Sequence, residues 1–323
     1  MTKKRFVLIG AAGYVATRHF RAIKENDGEL VAALDISDSV GVLDSYFPEC
    51  FFFTEMGRFD RFLVKYLQSG GIIDFLVVCS PNHMHDTHVR FGLRLGLNVI
   101  CEKPVVLNPR NLKSLIESKN AQQQAVYNIL QLRLHPSIIA LKQRVDSTKK
   151  DEVFEVGLTY LTSRGHWYYA SWKADIEKSG GIATNIGIHF FDMLIWIFGE
   201  VVESDVHVHS HDRAGGFLKL KRANVKWFLS IDHNLLPSEV RQDGKSTYRL
   251  LEVGDDKYHF SEGFEDLHNK SYQQILSGKG FDIEDALPSI TIAQEIREDQ
   301  PILDKSKCHE LCLQPQRPHP FNY

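Results

Sequence analysis

The sequence predicts an α/β protein in two parts: a doubly wound parallel sheet, followed by an α+β domain with a large, mostly antiparallel open sheet. Up to about residue 125, short apolar runs alternate with amphipathic helical segments, which is the pattern of a parallel sheet. From Glu152 the runs are longer and alternate in polarity. The length of 323 residues exceeds that of most single domains. We therefore expect domains over 1–125 and 151–298, joined by a connecting strand and helix over 126–150, and a C-terminal tail over 299–323.

The elements of the first part follow one another as βαβ units. Its strands are short and apolar, as expected for strands that are buried on both faces of a sheet. They are Phe6–Ile9, Leu30–Leu34, Phe75–Cys79, Leu97–Ile100 and Val126–Leu130. The helices begin at about Val15, near Phe59–Gln68, near His85–Leu95, at Asn108, and over Ser137–Val145.

The second part has strands whose polarity alternates, so that one face is buried and the other is wet or covered. These strands are Val153–Leu161, Val201–His209, Gly216–Leu220, Val225–Asp232, Tyr248–Val253 and Lys257–Phe260. The segment Ile186–Phe198 is apolar nearly all round, which predicts a buried helix. Further helices are predicted at Phe264–Ser277 and Ile283–Glu298. The Pro-, Gln- and His-containing stretch from Lys305 is expected to be extended or docked on a partner.

Composition excludes several classes of protein. The net charge of −3 gives no electrostatic support for binding nucleic acid or an anionic membrane. The apolar stretch before Gly10 is only four residues long, too short for a signal peptide. No apolar run approaches the roughly 18 residues that span a bilayer. The expected location is the cytoplasm.

The cysteines give no support for a disulfide framework or a metal centre. There are five, at widely spaced positions, and two of them lie in predicted buried strands, which fits a reducing compartment. Cys308, His309 and Cys312 are too few for a zinc site without a second cluster. We predict no metal.

The first strand runs into a loop of small residues and then into a helix. This arrangement lets backbone N–H groups meet a pyrophosphate, although the spacing is GxxGxxA rather than the strict GxGxxG. About 20 residues beyond the glycines, the second strand ends at an Asp, whose carboxylate would accept from a ribose 2′-hydroxyl and repel a 2′-phosphate. NAD is therefore preferred over NADP. The alternative is a structural glycine turn with the Asp as a strand-end cap. The predicted cofactor residues here are Gly10, Ala11, Ala12, Gly13, Tyr14, Val15 and Asp35.

Polar residues follow two other strands at the same sheet edge, where ligands collect in open α/β folds. Ser80, Asn82 and His85 come after the strand Phe75–Cys79, and Gln131 comes after Val126–Leu130. We predict that all four contact the cofactor. For His85, capping of the next helix is at least as good an interpretation.

Glu102-Lys103-Pro104 places a cation directly after an apolar strand. Pro104 restricts the preceding residue to an extended conformation and so aims the lysine at one point. A lysine beside a nicotinamide ring and a substrate hydroxyl would orient that hydroxyl and favour its alkoxide character. The alternative is a Lys–Glu surface pair.

Asn185, His189 and Asp192 recur at spacings of four and three in an otherwise apolar helix, so they can share one face. Polar residues in such a helix need partners, and a ligand is one. His189 has a suitable pKa range for a general base, with Asp192 orienting its imidazole. A structural histidine satisfied by Asp192 would give the same pattern.

At these two stretches the chain resembles the Gfo/Idh/MocA oxidoreductases, which are NAD(P)-dependent enzymes with a Rossmann domain and an open C-terminal sheet. Glu102-Lys103-Pro104 matches that family's EKP signature, and Gly180-Gly181 through His189 and Asp192 matches its second signature. The resemblance implies that Lys103 and His189 are catalytic and lie beside the nicotinamide, and that Glu102, Lys103, Trp172 and Lys173 contribute to the cofactor site. Many members carry Asp where this chain has Asn185, so Asn185 is expected to bind substrate.

The chain is most similar to the branch that oxidises UDP-N-acetyl-D-glucosaminuronic acid at its 3′-hydroxyl for bacterial surface polysaccharide such as O-antigen. The stretches that carry this similarity include Gln131 through Pro136, Tyr160 through Gly165 and Ala183 through Gly187. The resemblance implies a UDP-sugar uronate held by Lys103, Tyr160, Arg164, Lys173, Asn185 and His189. It also implies a homo-oligomer, a dimer of dimers. Alternatives are a dehydrogenase of another sugar, an inositol or a bile-pigment-like substrate, and a non-catalytic NAD-binding regulator.

Overall fold

The structure is a computed structural model that describes residues 3–259 and 266–321. Its strands are β1 Arg5–Ile9, β2 Glu29–Leu34, β3 Phe51–Phe53, β4 Phe75–Val78, β5 Asn98–Cys101, β6 Val126–Asn128, β7 Phe154–Thr162, β8 Val201–His209, β9 Arg213–Leu220, β10 Ala223–Ser230, β11 Thr247–Val253 and β12 Asp256–His259. Its α-helices are α1 Ala16–Glu25, α2 Met56–Gln68, α3 His85–Arg94, α4 Pro109–Gln122, α5 Pro136–Ser147, α6 Trp167–Ala170, α7 Ile176–Ser179, α8 Ile188–Phe198, α9 Ser238–Gln242, α10 Leu267–Leu276 and α11 Leu287–Glu298. Phe260 and residues 264–265 of the predicted elements lie outside the described residues.

The chain forms two compact units, and neither is continuous in sequence. The first contains residues 1–131 and 266–287, and the second contains 132–265 and 288–323. The sequence pattern predicted that all of residues 151–298 belong to the second domain. The structure differs because Tyr272 and Ile275 of α10 are buried in the core around Phe6 and Leu8 of β1. The chain thus returns to its first unit after building most of the second.

The first unit contains the predicted parallel sheet. Its strand order is β3-β2-β1-β4-β5-β6, and each neighbouring pair is parallel. The central strands are buried along nearly their whole length, which explains why they are apolar on both faces. The chain reverses direction in the sheet order at the β1/β4 boundary, which is the switch point where ligands bind in such folds.

The second unit contains a sheet in the order β12-β11-β7-β10-β9-β8. β7 and β10 are parallel, and the other neighbouring pairs are antiparallel, as predicted for a mostly antiparallel sheet. α8 covers one face, where Phe191 packs edge-on against Trp227 at a ring distance of 5.1 Å. A Cβ at Gly187 would lie 2.4 Å from the Leu229 side chain, so a glycine is needed for this close approach.

The C-terminal tail covers the opposite face of this sheet. His309 stacks on Phe228 at 5.7 Å and its Nε2 lies 2.9 Å from the hydroxyl of Thr159. Cys308 and Cys312 are buried in the same cluster. The Arg213 guanidinium donates to the carbonyl oxygens of residues 314 and 315. The tail is therefore docked on its own unit, whereas the sequence predicted that it would be extended or docked on a partner.

Among the residues that the structure describes, one helical segment, Ile176–Phe198, is long and apolar enough to cross a membrane by length and composition. It contains α7, a π-helical turn at Ala183–Gly187, and α8. About 72% of its most apolar window is buried inside the protein, as in a core helix. Aromatic packing of α8 on the sheet accounts for its apolar sequence without a membrane.

Candidate active site

The predicted cofactor residues of the first unit follow the carboxyl ends of five strands of its sheet, with Gln131 after β6. Gly10 and its neighbours follow β1, Asp35 follows β2, the residues from Ser80 follow β4, and Glu102 follows β5. In a parallel sheet these ends meet at one edge. The sequence prediction of a shared edge is therefore consistent with the topology.

The loop after β1 requires glycine at its first position. Gly10 has a φ of +102°, and a Cβ there would lie 2.5 Å from the backbone carbon of Cys79. The N–H groups of Gly10 and Ala11 donate to the carbonyl oxygen of Leu34, and the N–H of Gly13 donates to that of Gly10. The N–H groups that have no acceptor among the described residues are those of Tyr14 and Val15, just before α1. These two groups at a helix N-terminus fit a pyrophosphate.

Asp35 makes the strand-end contacts that the sequence offered as an alternative, and its predicted contact with the cofactor ribose stays a prediction. One carboxylate oxygen accepts from the N–H of Ala12 and the other from the N–H of Ser37, each at 2.9 Å. It thus fixes the loop after β1. A carboxylate has about four lone-pair sites, so both oxygens can still accept from a ribose hydroxyl.

His85 neither caps α3 nor presents a free ring nitrogen to a cofactor. It is the first residue of α3 and is 1% exposed. Its two ring nitrogens each lie 2.7 Å from a carbonyl oxygen, those of Ser80 and Pro104. The predicted direct contact of His85 with cofactor is therefore corrected: its ring joins the loop after β4 to the loop after β5. Asn82 is buried beside it.

Ser80 is held from two sides. Its carbonyl faces His85, and its hydroxyl lies 2.8 Å from Nδ1 of His88. Burial lowers the pKa of His88 to about 4, so this ring is neutral at neutral pH.

Glu102 is buried, whereas Lys103 is partly exposed. One Glu102 oxygen accepts from His19 Nε2 at 3.2 Å and from His268 Nε2 at 2.8 Å, and the other accepts from the N–H of Lys103 at 3.2 Å. This excludes a Lys–Glu surface pair. Glu102 was predicted to contact the cofactor, but its described contacts instead hold the backbone beside Lys103.

Gln131, at the end of the first stretch of chain in the first unit, carries a buried side-chain acceptor without a partner among the described residues. Its side chain is 5% exposed, and its Oε1 has no hydrogen-bond partner among the described residues. A buried acceptor without a partner is rare in proteins, and it fits the donor of a carboxamide. Together with the Tyr14 and Val15 N–H groups, it shows that the first unit's residues fit a nicotinamide dinucleotide.

In the second unit, Asn185 and His189 lie in the helical segment that packs on the sheet, and both are partly exposed. Asn185 lies in the π-helical turn, where bonds run from i to i+5, so its spacing of four to His189 is not a regular α-helical turn. Nδ2 of Asn185 donates to the hydroxyl of Tyr168 at 3.0 Å. Burial raises the pKa of Tyr168, so its hydroxyl stays protonated and can donate onward.

A cleft of about 210 Å³ lies beside this pair in the second unit. Its lining includes Tyr168 and Lys173, with three residues that sequence reasoning missed: His209, Ser210 and His211. The alternating histidines at 207, 209 and 211 were a signal that could have pointed to them. Lys173 gives the cleft a cation that fits a carboxylate or a phosphate.

Aromatic rings hold Lys173 in place. Its Nζ lies 4.4 Å from the Trp172 ring centre and 5.7 Å from that of Trp167, at cation–π distance.

Arg164 follows β7 and is partly exposed, and one of its nitrogens donates to the Ser163 carbonyl.

Tyr160 is mostly enclosed by its neighbours. Its ring is 8% exposed and packs against Phe190 at 4.7 Å and under the Arg249 guanidinium at 5.1 Å. The predicted contact of Tyr160 with substrate stays a prediction, and its hydroxyl is the group that would make it.

Asp192 has a partner that the sequence did not indicate. Its two oxygens accept from Nε and Nη2 of Arg133 at 2.9 and 2.7 Å, and both side chains are buried. This bidentate ion pair ties α8 to the turn before α5. The proposed orientation of His189 by Asp192 stays a prediction.

Comparison with known proteins gives the family. The model of the oxidoreductase family with an NAD-binding Rossmann fold matches residues 4–129, and the model of its C-terminal alpha/beta domain matches residues 142–231. The chain belongs to the Gfo/Idh/MocA oxidoreductase family. The resemblance drawn from the two signature stretches is thereby confirmed, as is the prediction of an NAD-binding domain.

Two solved structures of the WlbA (WbpB) dehydrogenase from Thermus thermophilus are 45% identical to this chain, covering 95% of it and 99% of their own, with TM-scores of 0.91 and 0.92. One is in complex with NAD and alpha-ketoglutarate, the other with NAD and UDP-GlcNAcA. Inositol 2-dehydrogenase from Rhizobium meliloti is 26% identical over 198 residues, which are 61% of this chain and 55% of that protein. The chain thus spans about half the length of this curated relative.

Proposed function

We propose that this protein is an NAD-dependent dehydrogenase that oxidises the 3′-hydroxyl of UDP-N-acetyl-D-glucosaminuronic acid to the 3-keto sugar. The observation that carries the proposal is the 45% identity, over 95% of the chain, to a dehydrogenase in complex with NAD and UDP-GlcNAcA. A cleft that contains Lys173 and protonated Tyr168 supports an anionic, hydroxyl-rich ligand. The residues of both signature stretches are present.

Each catalytic side chain has one task in this reaction. His189 accepts the proton of the 3′-hydroxyl as the C–O bond becomes a carbonyl. Lys103 donates a hydrogen bond to the same oxygen and stabilises its developing negative charge. Asn185, Tyr168, Arg164 and Lys173 bind and orient the sugar and its anionic groups. Bound NAD⁺ supplies the acceptor for the hydride from C3.

The decisive assay offers purified protein NAD⁺ with UDP-N-acetylglucosaminuronate and, separately, with myo-inositol. We expect NADH formation at 340 nm, deuterium transfer to NADH from sugar labelled at C3, and a 3-keto product by mass spectrometry. A kcat/KM for inositol above that for the nucleotide sugar would overturn the substrate assignment. Tight NAD⁺ binding without turnover of any sugar would favour the alternative of a non-catalytic NAD-binding regulator.

NADH must be reoxidised for repeated turnover, and a 2-oxo acid is the acceptor we propose. The Thermus relative's complex with alpha-ketoglutarate supports this choice. With 2-oxoglutarate present, the 3-keto sugar and 2-hydroxyglutarate should accumulate in equal amounts from a catalytic quantity of NAD⁺. Failure of 2-oxoglutarate to restore turnover would require a separate enzyme for this step.

We also propose a cytoplasmic location and a homo-oligomer, a dimer of dimers. Exposed apolar side chains at Val202 and Ile302, 63% and 77% exposed, support association through the second unit. Light scattering on the purified protein tests this, with a mass of four chains expected and a monomer contradicting it.

A further inference from the structure

A group of buried polar side chains in the first unit has no part in the reaction described above. His19 of α1, Glu102 after β5, and His268 and Tyr272 of α10 are each at most 6% exposed. The rings of His19 and His268 lie edge-on to each other with centres 5.1 Å apart. Groups of this kind are costly to bury, so their hydrogen bonds must be closely matched.

One arrangement of protons satisfies nearly all of these contacts. Burial lowers the pKa of His19, which keeps the ring neutral, and burial raises the pKa of Tyr272 well above its usual range, which keeps its hydroxyl protonated. Tyr272 then donates to Nδ1 of His19 at 2.9 Å, and Nε2 of His19 donates to Glu102. Nε2 of His268 donates to the same oxygen. Among the described residues, only Nδ1 of His268 lacks a partner in this group.

The result is a fixed buried anion directly before Lys103. Burial alone would raise the pKa of Glu102, but the hydrogen bonds from the two histidines outweigh it and hold that pKa well below its usual range. The second oxygen of Glu102 accepts from the N–H of Lys103. On the other side of Lys103, the Pro104 carbonyl faces Nδ1 of His85 at 2.7 Å. The backbone that carries the lysine is thus held on both sides.

We propose that His19 and His268 are positioning residues for Lys103: they hold the Glu102 carboxylate, and that carboxylate fixes the backbone from which the Lys103 ammonium reaches the substrate oxygen. The inference rests on the proposed function only for the role of Lys103. It adds His19 of α1 and His268 of α10 to the residues around the active site, and neither residue lies in a motif that the sequence marked. His19, Glu102 and His268 are also a set that could bind a metal ion, and the test separates that possibility.

The test compares three variants. His268→Leu removes the donor, His268→Gln keeps an N–H donor at a similar reach, and His207→Leu is the matched control. His207 is likewise buried, at 4% exposure, but lies on β8 of the second unit. Since a displacement of about 1 Å at a reacting group can cost 10²-fold in rate, we expect His268→Leu to lower kcat about 10- to 100-fold. KM for NAD⁺ should change little, and the isotope effect on kcat with C3-deuterated sugar should rise.

His268→Gln should recover most of the lost kcat, and His207→Leu should retain wild-type kcat. Equal kcat values for His268→Leu and His207→Leu, or no recovery in His268→Gln, would overturn the proposal. A stoichiometric metal ion whose removal reproduces the loss would do the same. If His268→Leu fails to fold, Glu102→Gln serves, because an amide cannot accept from both imidazoles and from the Lys103 N–H. It should show the same fall in kcat with unchanged NAD⁺ affinity.

A measurement without substrate separates this proposal from the proposed function. The lysine amines are reductively methylated with ¹³C-labelled methyl groups, which are observed by NMR. The signal of Lys103 is assigned by its loss in Lys103→Arg. His268→Leu should shift this signal, and His268→Gln should restore it, even if the nucleotide sugar is not the substrate. An unmoved signal in an enzyme that oxidises the sugar would refute the positioning role alone.

Discussion

Replacing Arg133 by methionine should destabilise the second unit strongly, because Asp192 would keep a buried charge without its bidentate partner. The two side chains are 8% and 3% exposed and share two short hydrogen bonds. Removing one member of such a pair typically costs about 3–5 kcal/mol, whereas replacing both by apolar residues is often neutral or stabilising. The expected loss for Arg133→Met is therefore about 3–5 kcal/mol.

The double variant Arg133→Met/Asp192→Leu makes this reasoning quantitative. Adding two single losses of this size would predict about 6–10 kcal/mol, but the double variant has neither charge of this buried pair and should lie near the wild type. Lys142→Met is the control, because Lys142 pairs with Asp146 in the same unit at side-chain exposures of 25% and 56%. An exposed pair of this kind contributes about 0–1 kcal/mol.

Urea unfolding followed by tryptophan fluorescence reports specifically on the unfolding of the second unit. All four tryptophans, at positions 167, 172, 196 and 227, lie in that unit. A loss below about 1 kcal/mol for Arg133→Met would mean that the pair behaves as an exposed one. A double variant no more stable than either single one would show that the loss comes from packing and not from the uncompensated charge.

Three further outcomes are expected. Lys103→Met and His189→Ala should each lower kcat about 10²- to 10⁴-fold with little change in NAD⁺ affinity by fluorescence titration, and normal turnover in both would refute their roles. Asp35→Ser should reduce the preference for NAD⁺ over NADP⁺ in kcat/KM, because the carboxylate repels a 2′-phosphate; an unchanged ratio would argue against this. Burial lowers the pKa of His309 to about 4, so between pH 6.5 and 4 the unfolded chain binds a proton that the native protein does not. The second unit should lose about 1.3 kcal/mol from this group between pH 7.5 and 5.5, and His309→Gln should remove that part of the dependence in urea titrations.

Most of the sheets could be predicted because their signal is local. The strand Val201–His209 was predicted at both ends from its alternating polarity, and β1 from a four-residue apolar run. Phe51–Phe53 was missed because three residues are too few to show a period. The π-helical turn was missed because its residues suit an α-helix equally well, and only the sheet beneath it requires Gly187.

The same difference between local and distant signals explains which residues of the candidate site could be predicted. Gly10, Asp35 and Lys103 could be predicted as candidates because each lies just after an apolar strand. His19 and His268 were not predicted, because each is one of several polar residues in its helix and their shared partner Glu102 lies 83 or 166 positions away. No pattern along the chain links residues at such separations.

The first unit brings together the donors of the buried Glu102 carboxylate from distant parts of the chain. Glu102 belongs to the first 131 residues, but one of its two imidazole donors arrives only with α10, after most of the second unit has been built. Without residues 266–287, Glu102 would lose the 2.8 Å contact from His268 and His19 would lose Tyr272. The core around β1 would also lose the buried side chains of Tyr272 and Ile275, and an unfilled core costs several kcal/mol, comparable with the whole stability of a domain. A fragment that ends at Gln131 should therefore fail to fold, although it contains every strand of the parallel sheet.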